Sequence, residues 1–240
     1  MKGSWETIQT AFAEALRLVA GLDPRLLEIL EMTLQVSLGA LFLATLLGLP
    51  IGALCGLEAG PRFRGLIRGL MYTGMGLPPV VVGLAVYLFL SRSGPLADLG
   101  WLFTPAAMIT AQTFLALPLV MGLTMTAVEA VDPALKPQLV SLGATKGQVA
   151  RWTLFEARGG VLTAIAAAFG AAISEVGAVM LVGGNIEGQT RVLTTAIVLE
   201  TRRGEFALAM ALGLILVSLT FAINFLLVAF GEGKTLRGRG

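Results

Sequence analysis

The sequence has no histidine, one cysteine (Cys55), two tyrosines and few charges: Lys, Arg, Asp and Glu make up 13% of its 240 residues, about half the usual share of a soluble domain. Each scarcity excludes something. Without histidine there is no His–carboxylate zinc site and no imidazole general base. A lone cysteine excludes an internal disulfide framework and a multi-cysteine metal cluster. The 17 basic and 15 acidic residues leave a net charge of +2, too small and too scattered for a nucleic-acid footprint. So few charges cannot cover a water-facing surface, which argues against a soluble enzyme. There is no Gly-rich phosphate loop ending in Lys and Ser/Thr, so the chain is not expected to bind and hydrolyse ATP itself. Met1-Lys2 is followed by Trp5, Glu6, Glu14 and Arg17 rather than by the apolar core of a secretory signal.

What is there is apolar. Hydrophobic residues make up 56% of the chain, and the mean hydropathy of +0.84 is that of a membrane protein. Charge-free runs cover residues 32–57, 69–91, 99–128 and 206–231, and a fifth, 159–186, is interrupted only by Glu175. A bilayer core takes roughly 20 helical residues, so each run holds one span and none holds two. The expected domain order is an interfacial helix over 1–22, a permeation domain over 23–231 and a tail over 232–240. The spans are expected at about 32–57, 69–91, 104–128, 159–183 and 206–230, with a long loop over 129–158. The fold class is an all-α, polytopic membrane helix bundle.

Trp5, Ile8, Phe12, Leu16 and Val19 recur at helical spacing between charges, the pattern of an amphipathic helix lying at a surface. Asp23-Pro24 restarts a helix, Asp as cap and Pro at the first position. Five spans put the termini on opposite sides. The side holding the C-terminus, the basic turn at 62–68 and the 129–158 loop carries ten Lys and Arg, and the other side carries seven. The positive-inside rule then places the C-terminus in the cytoplasm and the N-terminus outside. Pro50, Pro78-Pro79 and Pro118 invite kinks within spans, and 30 glycines point to close helix packing. Asn224 is expected to hydrogen-bond between helices. Glu175 is the one clear intramembrane charge, a functional candidate by default. A carboxylate repels an anion, so a structural or gating role is the expectation, either paired across helices or protonated.

The 129–158 loop is the most informative segment. Asp132-Pro133 starts a short helix, and Leu135, Leu139 and Leu142 give it an apolar stripe. Gly143 fits a left-handed helix end. Thr145 and Gln148 have capping-box spacing, with Val149, Trp152 and Phe155 on the helix that follows. Two short helices at a sharp angle result. Their apolar stripe is covered either by the chain's own bundle or by a cytoplasmic partner.

Leu142-Gly143-Ala144-Thr145 resembles the cytoplasmic signature loop of ABC importer permeases, with Gly143 at the signature glycine and Pro137-Gln138-Leu139 where Glu-Ala-Ala stands in the family. Ser174-Glu175-Val176-Gly177-Ala178, then Gly184-Asn185-Ile186, Thr190-Arg191 and Thr194-Thr195-Ala196-Ile197, resemble the oxyanion-importer permeases, the tungstate-specific ones most. The resemblance implies the type I, MetI-like permease architecture: a homodimer in the inner membrane with two cytoplasmic ATPase subunits beneath and an extracytoplasmic oxyanion-binding protein above. ATP and Mg would belong to the ATPase, with no cofactor or metal in this chain. Leu135, Leu139, Leu142, Gly143, Ala144 and Thr145 would couple the ATPase to the bundle. A tetrahedral oxyanion passing through is best served by hydroxyl, amide and N–H donors. The permeation or gate candidates are therefore Glu175, Asn185, Thr190, Thr194 and Thr195, with Thr110, Gln112 and Thr113 in the third span. Arg191, Arg202 and Arg203 suit anion steering or contact with the delivering protein. The substrate order is tungstate, molybdate, then another oxyanion such as sulfate. An ATP-independent channel or secondary carrier is the alternative class, and an intramembrane enzyme the third.

Overall fold

The computed structural model describes residues 4–21, 24–58 and 61–232, and every regular element among them is a helix. The expected Asp23 cap, and all of the expected tail after residue 232, lie outside the described residues. Eleven α-helices follow in order: α1 (Ser4–Ala20), α2 (Pro24–Glu58), α3 (Pro61–Met75), α4 (Pro79–Leu90), α5 (Pro105–Glu129), α6 (Leu135–Ser141), α7 (Lys146–Glu156), α8 (Arg158–Ile173), α9 (Gly177–Gly183), α10 (Leu193–Arg203) and α11 (Phe206–Glu232). A 3-10 turn, Ala97–Leu99, precedes α5. Three of them, α2, α5 and α11, are long and apolar enough to cross a bilayer alone, and two bent helix pairs raise the number of spans to as many as five.

The backbone differs from the sequence reading at three places. Residues 69–91 do not form one span. The helix stops at Met75 and restarts at Pro79. Pro78 takes an extended φ/ψ of −61°/124°, because a residue preceding proline is driven out of the helical region. The basic stretch 62–68 is the first half of α3 rather than a turn. Residues 159–183 are likewise two helices, α8 and α9, separated at 174–176. Pro50 and Pro118, by contrast, sit inside unbroken helices.

The chain forms two compact units, with the divisions inside α2, α5, α8 and α11 and between α3 and α4. In the unit of residues 1–40, 78–113 and 170–223, α4 lies against α9. Gly83 permits this, since a Cβ there would fall 2.6 Å from Ala178 Cα. Phe103 N donates to Val182 O at 2.9 Å. A second nucleus joins Leu26, Leu193, Ala196, Leu212 and Ile215. The expected amphipathic helix is present as α1, with Trp5, Ile8, Phe12 and Leu16 exposed.

In the unit of residues 41–77, 114–169 and 224–240, α2 packs on α5 along Gly48, Gly52 and Gly56. A Cβ at Gly48 would meet Val120 Cβ at 3.1 Å, one at Gly52 would fall on the Met121 carbonyl and 3.0 Å from Thr124 Cβ, and one at Gly56 would meet Val128 Cβ at 2.9 Å. The four-residue spacing puts all three glycines on one stripe, so backbone meets helix directly. Gly74 gives Pro118 the same room, at 2.8 Å. Asn224 does not make the expected bond: its Oδ1 is buried without a hydrogen-bond partner.

The glycine stripe makes a prediction. Gly52→Ala should lower the unfolding temperature of the detergent-solubilised protein, at an overpacking cost of about 1–3 kcal/mol. Gly65→Ala, where a Cβ would meet nothing within 4 Å, should leave it unchanged or raise it. Equal melting of Gly52→Ala and wild type would rule out backbone contact along this seam.

Candidate coupling surface and permeation residues

The segment between α5 and α8 is built as two capped helices. Asp132 Oδ1 accepts from Ala134 N at 2.8 Å, and α6 begins two residues after Pro133. Gly143 takes φ +81°, the left-handed conformation that closes a helix without a Cβ clash. Ala144 N returns to Leu139 O at 3.0 Å. The capping box is present: Gln148 N donates to Thr145 Oγ1 at 3.4 Å and Thr145 N donates to Gln148 Oε1 at 2.8 Å.

This segment is anchored to its own unit. Lys136 Nζ donates to Leu57 O at 3.3 Å, a cation on the last carbonyls of α2 where the helix dipole favours it. Arg68 and Glu129 pair at 2.6 Å, tying α3 to the end of α5. Ala53, Val128 and Ala157 form a buried nucleus with Leu154 and Val161 against it. A cavity of about 560 Å³ opens beside it, lined by Ala127, Val131, Asp132, Leu135, Glu156 and Gly160 among others.

The expected leucine stripe is divided by this anchoring. Leu135 and Leu139 are half-buried, whereas Leu142 is 83% exposed and Val140, which the periodicity did not single out, 61%. The exposed apolar residues at the C-terminal end of α6 are therefore Val140, in its last turn, and Leu142, its C-cap. On α7, Thr153 is fully buried and Trp152 and Phe155 face outward.

The permeation candidates fall into two groups. Around the 174–176 break, Gln112 Nε2 donates to Ala172 O at 2.9 Å, Glu175 Oε1 accepts from Ala178 N at 2.9 Å and Thr194 Oγ1 donates to Glu175 O at 2.9 Å. Thr190 Oγ1 donates to Gly183 O at 2.6 Å and accepts from Ile186 N at 2.9 Å. Asn185, at φ +53°, accepts from Arg191 Nε at 3.3 Å, and Arg191 pairs with Glu187 at 3.2 Å. Thr110 and Thr113 stand apart and bond only to carbonyls of their own helix, Ala106 and Ile109. Thr194 and Thr195 lie buried in the first turn of α10, where Val192 N donates to Thr195 Oγ1 at 3.1 Å. Arg202 and Arg203 are in its last turn, with Arg203 on Glu200 at 3.0 Å.

Each threonine hydroxyl among the candidates thus spends its proton on a backbone carbonyl, and Gln112 spends an amide N–H the same way. The unengaged buried atom is Gln112 Oε1, an acceptor, which is the wrong polarity for an oxyanion. In this conformation the set holds the broken helix together. Glu175 is explained by the helix it starts: a carboxylate at the N-terminus of α9 satisfies an orphan N–H and meets the positive end of the dipole.

The comparisons with known proteins bear on the whole chain. Residues 48–233 match the family described as binding-protein-dependent transport system inner membrane component. The chain belongs to this family. A probable anion ABC transporter permease protein of Haloferax volcanii is 44% identical over 224 residues, 89% of this chain and 95% of that one. The tungstate uptake system permease protein TupB of Peptoclostridium acidaminophilum is 38% identical over 227 residues, 95% and 99% of the two chains. A bacterial ABC transporter involved in the import of the acidic polysaccharide alginate shares the fold, with 20% identity and a TM-score of 0.64 over 90% of this chain and 80% of that one. The permease is a multi-pass inner-membrane protein, and the expected MetI-like helix bundle is its fold.

The permease's capping bonds can be tested singly. Thr190→Val keeps the shape but leaves Gly183 O and Ile186 N unpaired, and should cost about 1–3 kcal/mol of stability. Glu175→Ala should cost about 0.5–2 kcal/mol as a lost helix cap, while Glu175→Gln, which keeps an acceptor oxygen, should melt and transport close to wild type. A Glu175→Gln protein that melts normally but transports nothing would show that the charge itself is required.

Proposed function

We propose that this permease is the membrane subunit of an ATP-driven importer that carries an oxyanion into the cytoplasm, tungstate first and molybdate second. The observation that carries the reading is the near end-to-end match, 38% identical over 95% of this chain, to a tungstate uptake permease. The working unit is a homodimer above two ATPase subunits, fed by an extracytoplasmic binding protein. The N-terminus lies outside, and the Val140–Leu142 face lies in the cytoplasm.

The chemistry of ATP hydrolysis belongs to the partners, and this chain converts their closure into motion. Val140 and Leu142 supply the apolar contact, which gains free energy only when covered. Lys136 on the end of α2 and the Ala53–Val128–Ala157 nucleus pass displacement of α6 to α2 and α5. The switch is a shift between discrete packings. The breaks at 76–78 and 174–176 are the places where the backbone can change direction. The anion is recognised mainly by the binding protein, since the candidate threonine hydroxyls here all donate to backbone carbonyls.

Vesicles carrying the permease, its ATPase and its binding protein should take up labelled tungstate in preference to sulfate, and only with ATP. Val140→Asp with Leu142→Asp should abolish uptake and co-purification of the ATPase while leaving the melting temperature unchanged. Uptake without ATP, or uptake that survives both substitutions, would favour an autonomous carrier.

A further inference from the structure

We infer that α7 lies in the lipid headgroup layer and that Trp152, Phe155 and Arg158 form a contact for anionic phospholipid, separate from the ATPase-facing surface of α6. Three observations carry this. First, α7 meets α8 across the single residue Ala157 with a bend of 63°. With α8 along the membrane normal, the 11 residues of α7, about 16 Å of helix, climb only about 7 Å from the membrane, within an interfacial layer of roughly that depth. Phe155 and Trp152 sit in the turn nearest the bend.

Second, the exposed side of α7 has the composition of a membrane interface. Trp152 and Phe155 are 54% and 53% exposed and stack edge to face at 5.7 Å. The Arg158 guanidinium lies 4.2 Å over the Phe155 ring and donates from Nη1 to Phe155 O at 3.1 Å. Its Nε is buried and has no hydrogen-bond partner among the described residues, so the charge reaches the surface through the outer guanidinium nitrogens. Rings that hold a cation beside the first residue of an apolar helix match the aromatic and basic belts at membrane surfaces.

Third, the charge is complementary. Residues 146–158 carry Lys146, Arg151 and Arg158 against Glu156, a net positive segment that suits phosphatidylglycerol-type headgroups. Leu142 caps the end of a different helix, α6, sixteen residues before α8 begins.

The test is tryptophan fluorescence of the full-length permease in nanodiscs of phosphatidylcholine with or without phosphatidylglycerol. Trp5→Phe with Trp101→Phe leaves Trp152 as the reporter, and both replaced side chains are exposed. The expected result is blue-shifted emission, quenched more by lipid brominated near the headgroup than by iodide in water, and unchanged when the ATPase binds. Arg151→Gln with Arg158→Gln should remove the extra blue shift that phosphatidylglycerol produces. A second reporter, Val140→Trp in a Trp152→Phe background, should behave oppositely: open to iodide and shielded by the ATPase. If Trp152 is quenched by iodide and shielded by the ATPase, α7 docks the ATPase and the inference fails. If it resists both quenchers, α7 packs against a second copy and the inference also fails. Bromolipid quenching does not depend on transport, so it stands or falls apart from the importer reading.

Discussion

A hydrocarbon solvent offers no hydrogen bonds, so wherever a buried helix is interrupted the freed backbone groups must find partners within the protein. The interruption at 174–176 shows how this chain meets that demand. Gln112 covers the carbonyl of Ala172, Glu175 covers the amide of Ala178, Thr194 covers the carbonyl of Glu175, and Thr190 covers Gly183 and Ile186. A break in mid-chain is thereby made stable, and with it a place where direction can change. The polar residues that look like a conduit for an anion in the sequence are the ones this constraint recruits.

The second organising feature is the absence of α2 side chains where α2 meets α5. Gly48, Gly52 and Gly56 replace interdigitated leucines with backbone contact. Between helices already in lipid there is little hydrophobic gain to be had, and close van der Waals approach takes its place. The 129–158 segment adds the opposite chemistry at its edge: a cation on helix carbonyls, an Arg–Glu pair and a reciprocal cap. These contacts tie the segment that exposes Val140 and Leu142 to the end of α2 and to the Ala53–Val128–Ala157 nucleus.

The bundle was legible in the sequence because charge-free runs measure bilayer thickness directly, and the ends of α2, α5 and α11 fall close to where those runs end. The Thr145–Gln148 box and the left-handed Gly143 were legible because each motif satisfies its own backbone groups locally. The two helix breaks were not. Pro78-Pro79 announced a kink but not a full stop, and Glu175 marked the 159–186 run as carrying a charge without showing that the helix breaks there. That Leu135 and Leu139 are half-buried while Leu142 is open is a tertiary fact that spacing alone does not give. Reading Gly48, Gly52 and Gly56 at intervals of four would have found the α2–α5 seam.

The glycine seam is keyed from one side: the Val120 and Val128 side chains of α5 sit where Gly48 and Gly56 leave room. A lengthwise slip would bring a residue with a side chain over each of these notches, and a close-packed contact does not deform continuously. Thrust arriving at the end of α2 through Lys136 would therefore carry α2 and α5 of this unit together as one lever rather than slide one along the other.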